Sequence, residues 1–148
     1  SFYHHIGSKE KLFQIFQLKI GTESFKILLE KTNGKDPVEK IFILIDLYIA
    51  YVLKFGYKFC RYFLTLSLKN HAFANPPGAL NIFLKDCIHE SLNNGSFDTK
   101  YDADYIYRCI YSSLRGATLI WTLEEGKSDL RKDYENTLNI LIDAFKSK

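Results

Sequence analysis

The chain has 148 residues, 47% of them hydrophobic and 16% aromatic, which is enough apolar material for one buried core and argues for a folded protein. Its net charge of +3 is mild, so composition by itself does not point to nucleic acid. Cys60, Cys87 and Cys109 are odd in number and widely spaced, with no CxxC, which speaks against a disulfide framework and for a reducing, cytoplasmic setting.

Ser1-Phe2-Tyr3-His4-His5-Ile6 sets two aromatics and two histidines among short side chains, and Gly7 then reads as a helix stop. Ser8 is a good N-cap and Glu10 places negative charge in the first turn of a following helix. The spacing predicts a tight helix-turn-helix joint, then a long helix from about Lys9 to Lys31 with Leu12, Phe16, Ile20, Ile27 and Leu28 on its inner face. Asn33-Gly34 ends it. Asp36 caps the next helix, with Pro37 at its first position.

From Ile41 to Leu53 that second helix is apolar or aromatic at every position except Asp46. The run is shorter than the ~20 residues a bilayer span needs, so it reads as a central helix wrapped on all sides, with no membrane partner. Gly56 marks a break, and Tyr57 to about Asn70 continues as an aromatic-rich helix. Asn75-Pro76-Pro77-Gly78 is the clearest loop. Further helices follow from about Ala79 to Leu92, from Asp102 as cap to about Glu125, and from Ser128 or Asp129 as cap to about Lys146. Asn93-Asn94-Gly95 and Gly126 are the stops between them. No alternating strand pattern and no fixed-period repeat interrupts this all-α reading.

The run from Ser1 to Phe13 resembles the end of the DNA-binding module of TetR-type transcriptional repressors. There a recognition helix closes with Thr/Ser-aromatic-Tyr-x-His-Phe, and a Gly-Ser/Thr-Lys-Glu turn launches the next helix. The chain departs from that pattern once, at Ile6, where the family usually has Phe. The resemblance implies a TetR-like helical bundle with a C-terminal two-helix dimerisation unit. Residues 1–7 would be the remnant of the helix-turn-helix domain, its earlier helices upstream, and residues 8–148 the effector-binding and dimerisation domain.

By resemblance, Tyr3, His5 and Lys9 fall where family members grip the DNA backbone, Ser1 and His4 where phosphate, sugar or base is touched, and Phe2 and Ile6 on the packing side. Read without the family, these hydroxyls, ring nitrogens and one ammonium suit register-fixing contacts on a duplex, or simply cover a domain surface.

Two further features invite a functional reading. On the last two helices, Ile106, Ile110, Leu114, Ala117 and Trp121, then Leu130, Tyr134, Leu138, Leu141, Ile142 and Phe145, recur at intervals of three and four. The resemblance makes Leu114, Ala117, Trp121, Tyr134, Leu138, Leu141, Ile142 and Phe145 a homodimer interface; periodicity alone fits intramolecular core equally well. Between the two ends lies a possible sensor for a small apolar effector, with Tyr51, Phe55, Phe59, Phe63, Phe83, Tyr107 and Tyr111 as walls. Asp46, His71, His89, Arg108 and Arg115 are its polar candidates. For each aromatic, ordinary core packing is the competing reading.

No zinc-type Cys/His spacing, His-Glu-x-x-His, Gly-x-Ser-x-Gly or phosphate-cradling glycine loop is present, so neither an enzyme nor a metal or cofactor is expected. The sequence therefore points to a dimeric, ligand-responsive regulator of operator DNA. The alternative is a helical protein-interaction or adaptor domain, which leaves the opening run unexplained.

Overall fold

Asp36 shows how the sequence starts a helix. Its carboxylate accepts the backbone N–H groups of Val38 (3.0 Å) and Glu39 (3.1 Å), and Pro37 occupies the first turn, where a missing N–H does no harm. The structure, a computed structural model, describes residues 2–70 and 78–148, with side chains in the first helix described from Lys9 onward. Among the described residues there are six helices and no strand, so the fold is all-α. They are α1 Phe2–Thr32, α2 Pro37–Phe55, α3 Tyr57–Lys69, α4 Ala79–Asn93, α5 Ala103–Leu123 and α6 Leu130–Phe145. None of these helices is long and apolar enough to cross a membrane.

The expected joint at Gly7-Ser8 is not there. α1 runs unbroken through both residues. A glycine inside a helix costs only roughly 1 kcal/mol relative to alanine, which helix on both sides outweighs, and Ser8 is an interior residue rather than a cap.

The inner face of α1 also differs from expectation. Leu12 and Phe16 are exposed, while Phe13, Ser24, Leu28 and Thr32 are buried. Ser24 and Thr32 tolerate burial because each hydroxyl donates back to a carbonyl one turn earlier, to Ile20 (2.6 Å) and Leu28 (2.7 Å). A reading keyed to apolar size passes over such positions.

α2 is the central element, packed against α1, α3, α4 and α6. Ile41, Leu44, Ile45, Ile49 and Val52 are buried there. It is not wrapped on all sides, however: Asp46, Ala50 and Leu53 form an exposed strip. Asp46 meets its charge requirement on that strip by an ion pair with Arg131 of α6.

α5 and α6 form an antiparallel hairpin whose turn uses Gly126 at φ +73, a conformation that favours glycine. The hairpin is stitched by Tyr134, fully buried, whose hydroxyl donates to the Ile110 carbonyl (2.8 Å). After α4 the chain crosses to the C-terminus, where Asp98 N–H donates to the Phe145 carbonyl (2.8 Å) and Ser147 N–H to the Ser96 carbonyl (3.0 Å). Phe97, fully buried, packs edge-on to Phe145 there.

The main core joins Leu28, Ile41, Ile88, Ile106, Ile110, Leu138 and Ile142. A separate small cluster sits between α1 and α3, where Phe13 and Leu66 are buried against Phe59 and Phe63.

Candidate functional site: a cavity beside the first helix

The two clusters do not merge. Between them lies a cavity of about 670 Å³, bounded by α1, α2, α3, α5 and the start of α4. That is within the roughly 300–1,000 Å³ of small-molecule pockets. One wall is a helical stripe on α2, Leu44, Tyr48, Tyr51 and Phe55, at intervals of four, three and four. Beyond the Gly56 break, Phe59 and Phe63 of α3 continue it. The rings hold one another: Tyr51 stacks on Phe55 at 6.1 Å, Phe55 meets Phe59 at 5.0 Å, and Phe13 of α1 meets Phe59 at 5.1 Å.

The facing wall is mixed. α1 lines the space with Leu18, Ile20 and Phe25 and with the polar or small Gln14, Gln17, Gly21, Thr22 and Ser24. A Cβ placed on Gly21 would meet nothing within 4 Å.

α5 closes the cavity with Tyr111, Arg115 and Thr118, one turn apart. The Arg115 guanidinium lies 5.2 Å from the Phe63 ring centre and 5.8 Å from that of Tyr111, a cation–π arrangement that holds it in place. Burial raises the Tyr48 phenol above its ordinary value, and the nearby Arg115 charge opposes that shift without reversing it. A side-chain hydrogen bond with Thr118 opposes it too, and the phenol stays neutral near neutral pH. Cys60 also lines the cavity, and burial pushes its thiol up to about 11, so it is not a thiolate nucleophile near neutral pH.

Of the side chains expected to line a pocket, Tyr51, Phe55, Phe59, Phe63, Tyr111 and Arg115 come together here. Phe83 and Tyr107 do not line the cavity. Phe83 packs edge-on to Phe25 at 6.5 Å, and Tyr107 stacks on Tyr111 at 5.5 Å with the Lys85 ammonium 4.7 Å from its ring. Asp46 is excluded outright, since it sits on the outer strip of α2 paired with Arg131. His89 and Arg108 are exposed, and His71 lies outside the described residues.

Sequence reasoning missed Tyr48, Thr118, Gln14 and Gln17. Tyr48 was findable, because it continues the spacing of Tyr51 and Phe55 one turn earlier. The two glutamines were not, because nothing local separates a cavity-facing Gln from a solvated one. Of the residues expected to contact DNA, Lys9 is exposed in the N-terminal part of α1; the side chains of Ser1, Tyr3, His4 and His5 lie outside the described residues.

The apolar stripe on the last two helices is intramolecular core. Leu114, Trp121, Tyr134, Leu138, Ile142 and Phe145 are buried within the chain, and Ala117 and Leu141 are half-buried against the same core. Within one chain this leaves Ala117 and Leu141 as the partly accessible members of the expected interface. The outward faces instead carry Leu119, Ile120 and Leu123 on α5 and Ile140 on α6, all exposed.

A second depression, about 470 Å³, lies at the α5–α6 turn and is lined by Leu123, Glu124, Glu125, Lys127 and Ser128, an open and mostly charged surface. Among the described residues no three His, Cys, Asp or Glu side chains gather as a metal site would require. No protein-family model, curated protein or solved structure matches the chain.

Proposed function

We propose that the chain is the sensor and dimerisation part of a ligand-responsive transcriptional regulator of TetR type. As a repressor, it would hold operator DNA as a homodimer and release it when a small apolar effector enters the cavity. One observation carries this reading: α1 forms a wall of the cavity, and its N-terminal part, Phe2 to Lys9, holds most of the run that resembles a recognition-helix terminus. No turn at Gly7-Ser8 separates that run from the cavity wall, which departs from the family pattern but would let a displacement of α1 carry both.

The mechanism is a shift between two populations. Two recognition helices must reach half-sites about one helical turn apart. An effector that fits the cavity better with α1 displaced favours the spacing that does not match DNA, and repression falls without the ligand touching the duplex. The twin would dock on the outward faces of α5 and α6, where Leu119, Ile120, Leu123 and Ile140 are exposed. That same apolar surface favours the second reading, an adaptor domain that binds a helical partner and no DNA.

Selection of duplexes from a random pool by the full-length protein tests the two readings. The regulator predicts a defined two-fold sequence, with binding weakened about tenfold or more by Lys9→Ala and by Tyr3→Phe, each of which removes one backbone contact. Enrichment of no sequence, or binding indifferent to both substitutions, sinks the regulator and leaves the adaptor.

A further inference from the structure

We infer that the cavity selects an amphiphile with a carboxylate head and an aliphatic body, its carboxylate bound by Arg115; the inference rests on reading this cavity as an effector site. Arg115 is the one charged residue among the described lining residues, and neither Asp, Glu nor Lys contributes to the walls. No carboxylate lies within ion-pair distance of it among the described residues. Asp46, the acid that would have suited a cationic ligand, is on the far strip of α2 and already paired with Arg131.

Arg115 is half-buried in the wall, meets Phe63 and Tyr111 by cation–π contact, and makes no hydrogen bond or ion pair among the described residues, so a charge partner there would stabilise it. A guanidinium's N–H donors fit a carboxylate in the two-bond, fork-on-fork geometry that an ammonium cannot offer. Tyr48, hydrogen-bonded to Thr118, lines the same cavity as an uncharged polar group. Away from Arg115 the aromatic stripe of α2 and α3, with Leu18, Ile20 and Phe25 of α1, offers apolar wall to an aliphatic chain, and the remaining polar lining, Gln14, Gln17 and Thr22 among it, is uncharged.

Isothermal titration of the folded chain with dodecanoate, dodecanol and dodecylamine, each below its micelle-forming concentration, tests the inference. Dodecanoate should bind at least about tenfold tighter than dodecanol, a difference of about 1.4 kcal/mol, and dodecylamine weakest of the three. Arg115→Met keeps the apolar volume and should bring dodecanoate down to the dodecanol value while leaving dodecanol unchanged. Arg115→Lys, which keeps the charge, should retain a preference for the anion, and circular dichroism confirms that both variants are folded. Equal binding of dodecanoate and dodecanol, unaffected by Arg115→Met, overturns the anionic head and leaves a neutral apolar effector standing. Failure of all three to bind overturns the effector site itself.

Discussion

Tyr134→Phe is the sharpest test of how α5 and α6 are joined. The ring is fully buried, and removing the hydroxyl leaves no cavity of consequence, so only the hydrogen bonds change. Tyr134 Oη donates to the Ile110 carbonyl at 2.8 Å and lies 3.1 Å from Ser113 Oγ. Ser113 keeps its own bond to the same carbonyl at 3.0 Å, so the substitution strands no polar group. The cost at neutral pH should therefore be about 1 kcal/mol, an ordinary net hydrogen bond, rather than the larger penalty of an orphaned one.

Alkali reverses the order of the two proteins. Burial, only partly offset by the Ser113 bond, pushes the Tyr134 phenol from 10.0 up to about 12. Because the folded value is the higher one, the unfolded chain loses this proton first. Stability held in full below about pH 10 is lost as pH rises toward about 12, by about 3 kcal/mol in all. The phenylalanine variant is spared that loss. Cys60, Cys87, Tyr48 and Tyr107 are raised by burial too and weaken both proteins alike, so the difference isolates Tyr134. Urea unfolding followed by circular dichroism between neutral pH and about 11.5 should show the two stabilities meeting near pH 11 and crossing beyond it. A difference that stays constant across that range refutes the argument.

Two further outcomes follow from the surface. Under the proposed function, Leu123→Glu on the outward face of α5 should convert the proposed dimer to monomers in sedimentation while changing the unfolding midpoint of the monomer little, because Leu123 is 68% exposed; an unchanged oligomer refutes docking through this face. Asp46→Ala should cost less than about 1 kcal/mol, diminish further with added salt, and leave ligand titrations unchanged, since both partners of the Arg131 pair are solvent-exposed; a changed ligand affinity would tie the outer strip of α2 to the cavity.

Most of the fold was legible because local chemistry decides it. Asp36-Pro37, Gly56 and Gly126 mark boundaries by capping and by backbone conformation, and each stands where the sequence places it. What failed were readings that depend on partners. Gly7 looks like a stop in isolation, yet the helix continues through it. The stripe from Leu114 to Trp121 and from Tyr134 to Phe145 is periodic whether it faces a twin or the chain's own core, and only the packing of α5 on α6 shows that it is core. The cavity was half legible. Aromatics at helical spacing on α2 and α3 were visible, while the facing wall of Gln14, Gln17 and Gly21 carries no signal until α1 is seen to lie over it.

The unequal fastening of α1 bears on how a cavity could act at a distance. Its C-terminal half is anchored by Ser24, Leu28 and Thr32 in the main core, all nearly inaccessible. Among the described residues of its N-terminal half, Phe13 is buried in the small aromatic cluster and Phe16 meets Phe55 and Phe59, while Leu12, Ile15 and Leu18 are exposed. The cavity lies between these two attachments, so a ligand there competes with the weaker one. From Ser24 to the start of the helix is about 33 Å at 1.5 Å per residue, and a tilt of about 5° about that anchor moves the far end by about 3 Å. A ligand that prefers the tilted arrangement by about 3 kcal/mol shifts the two populations by more than a hundredfold. Under the proposed function, that preference has to come from contacts made only when α1 has moved, and the side chains placed to make them are Gln14, Gln17 and Thr22, which face the cavity without closing it.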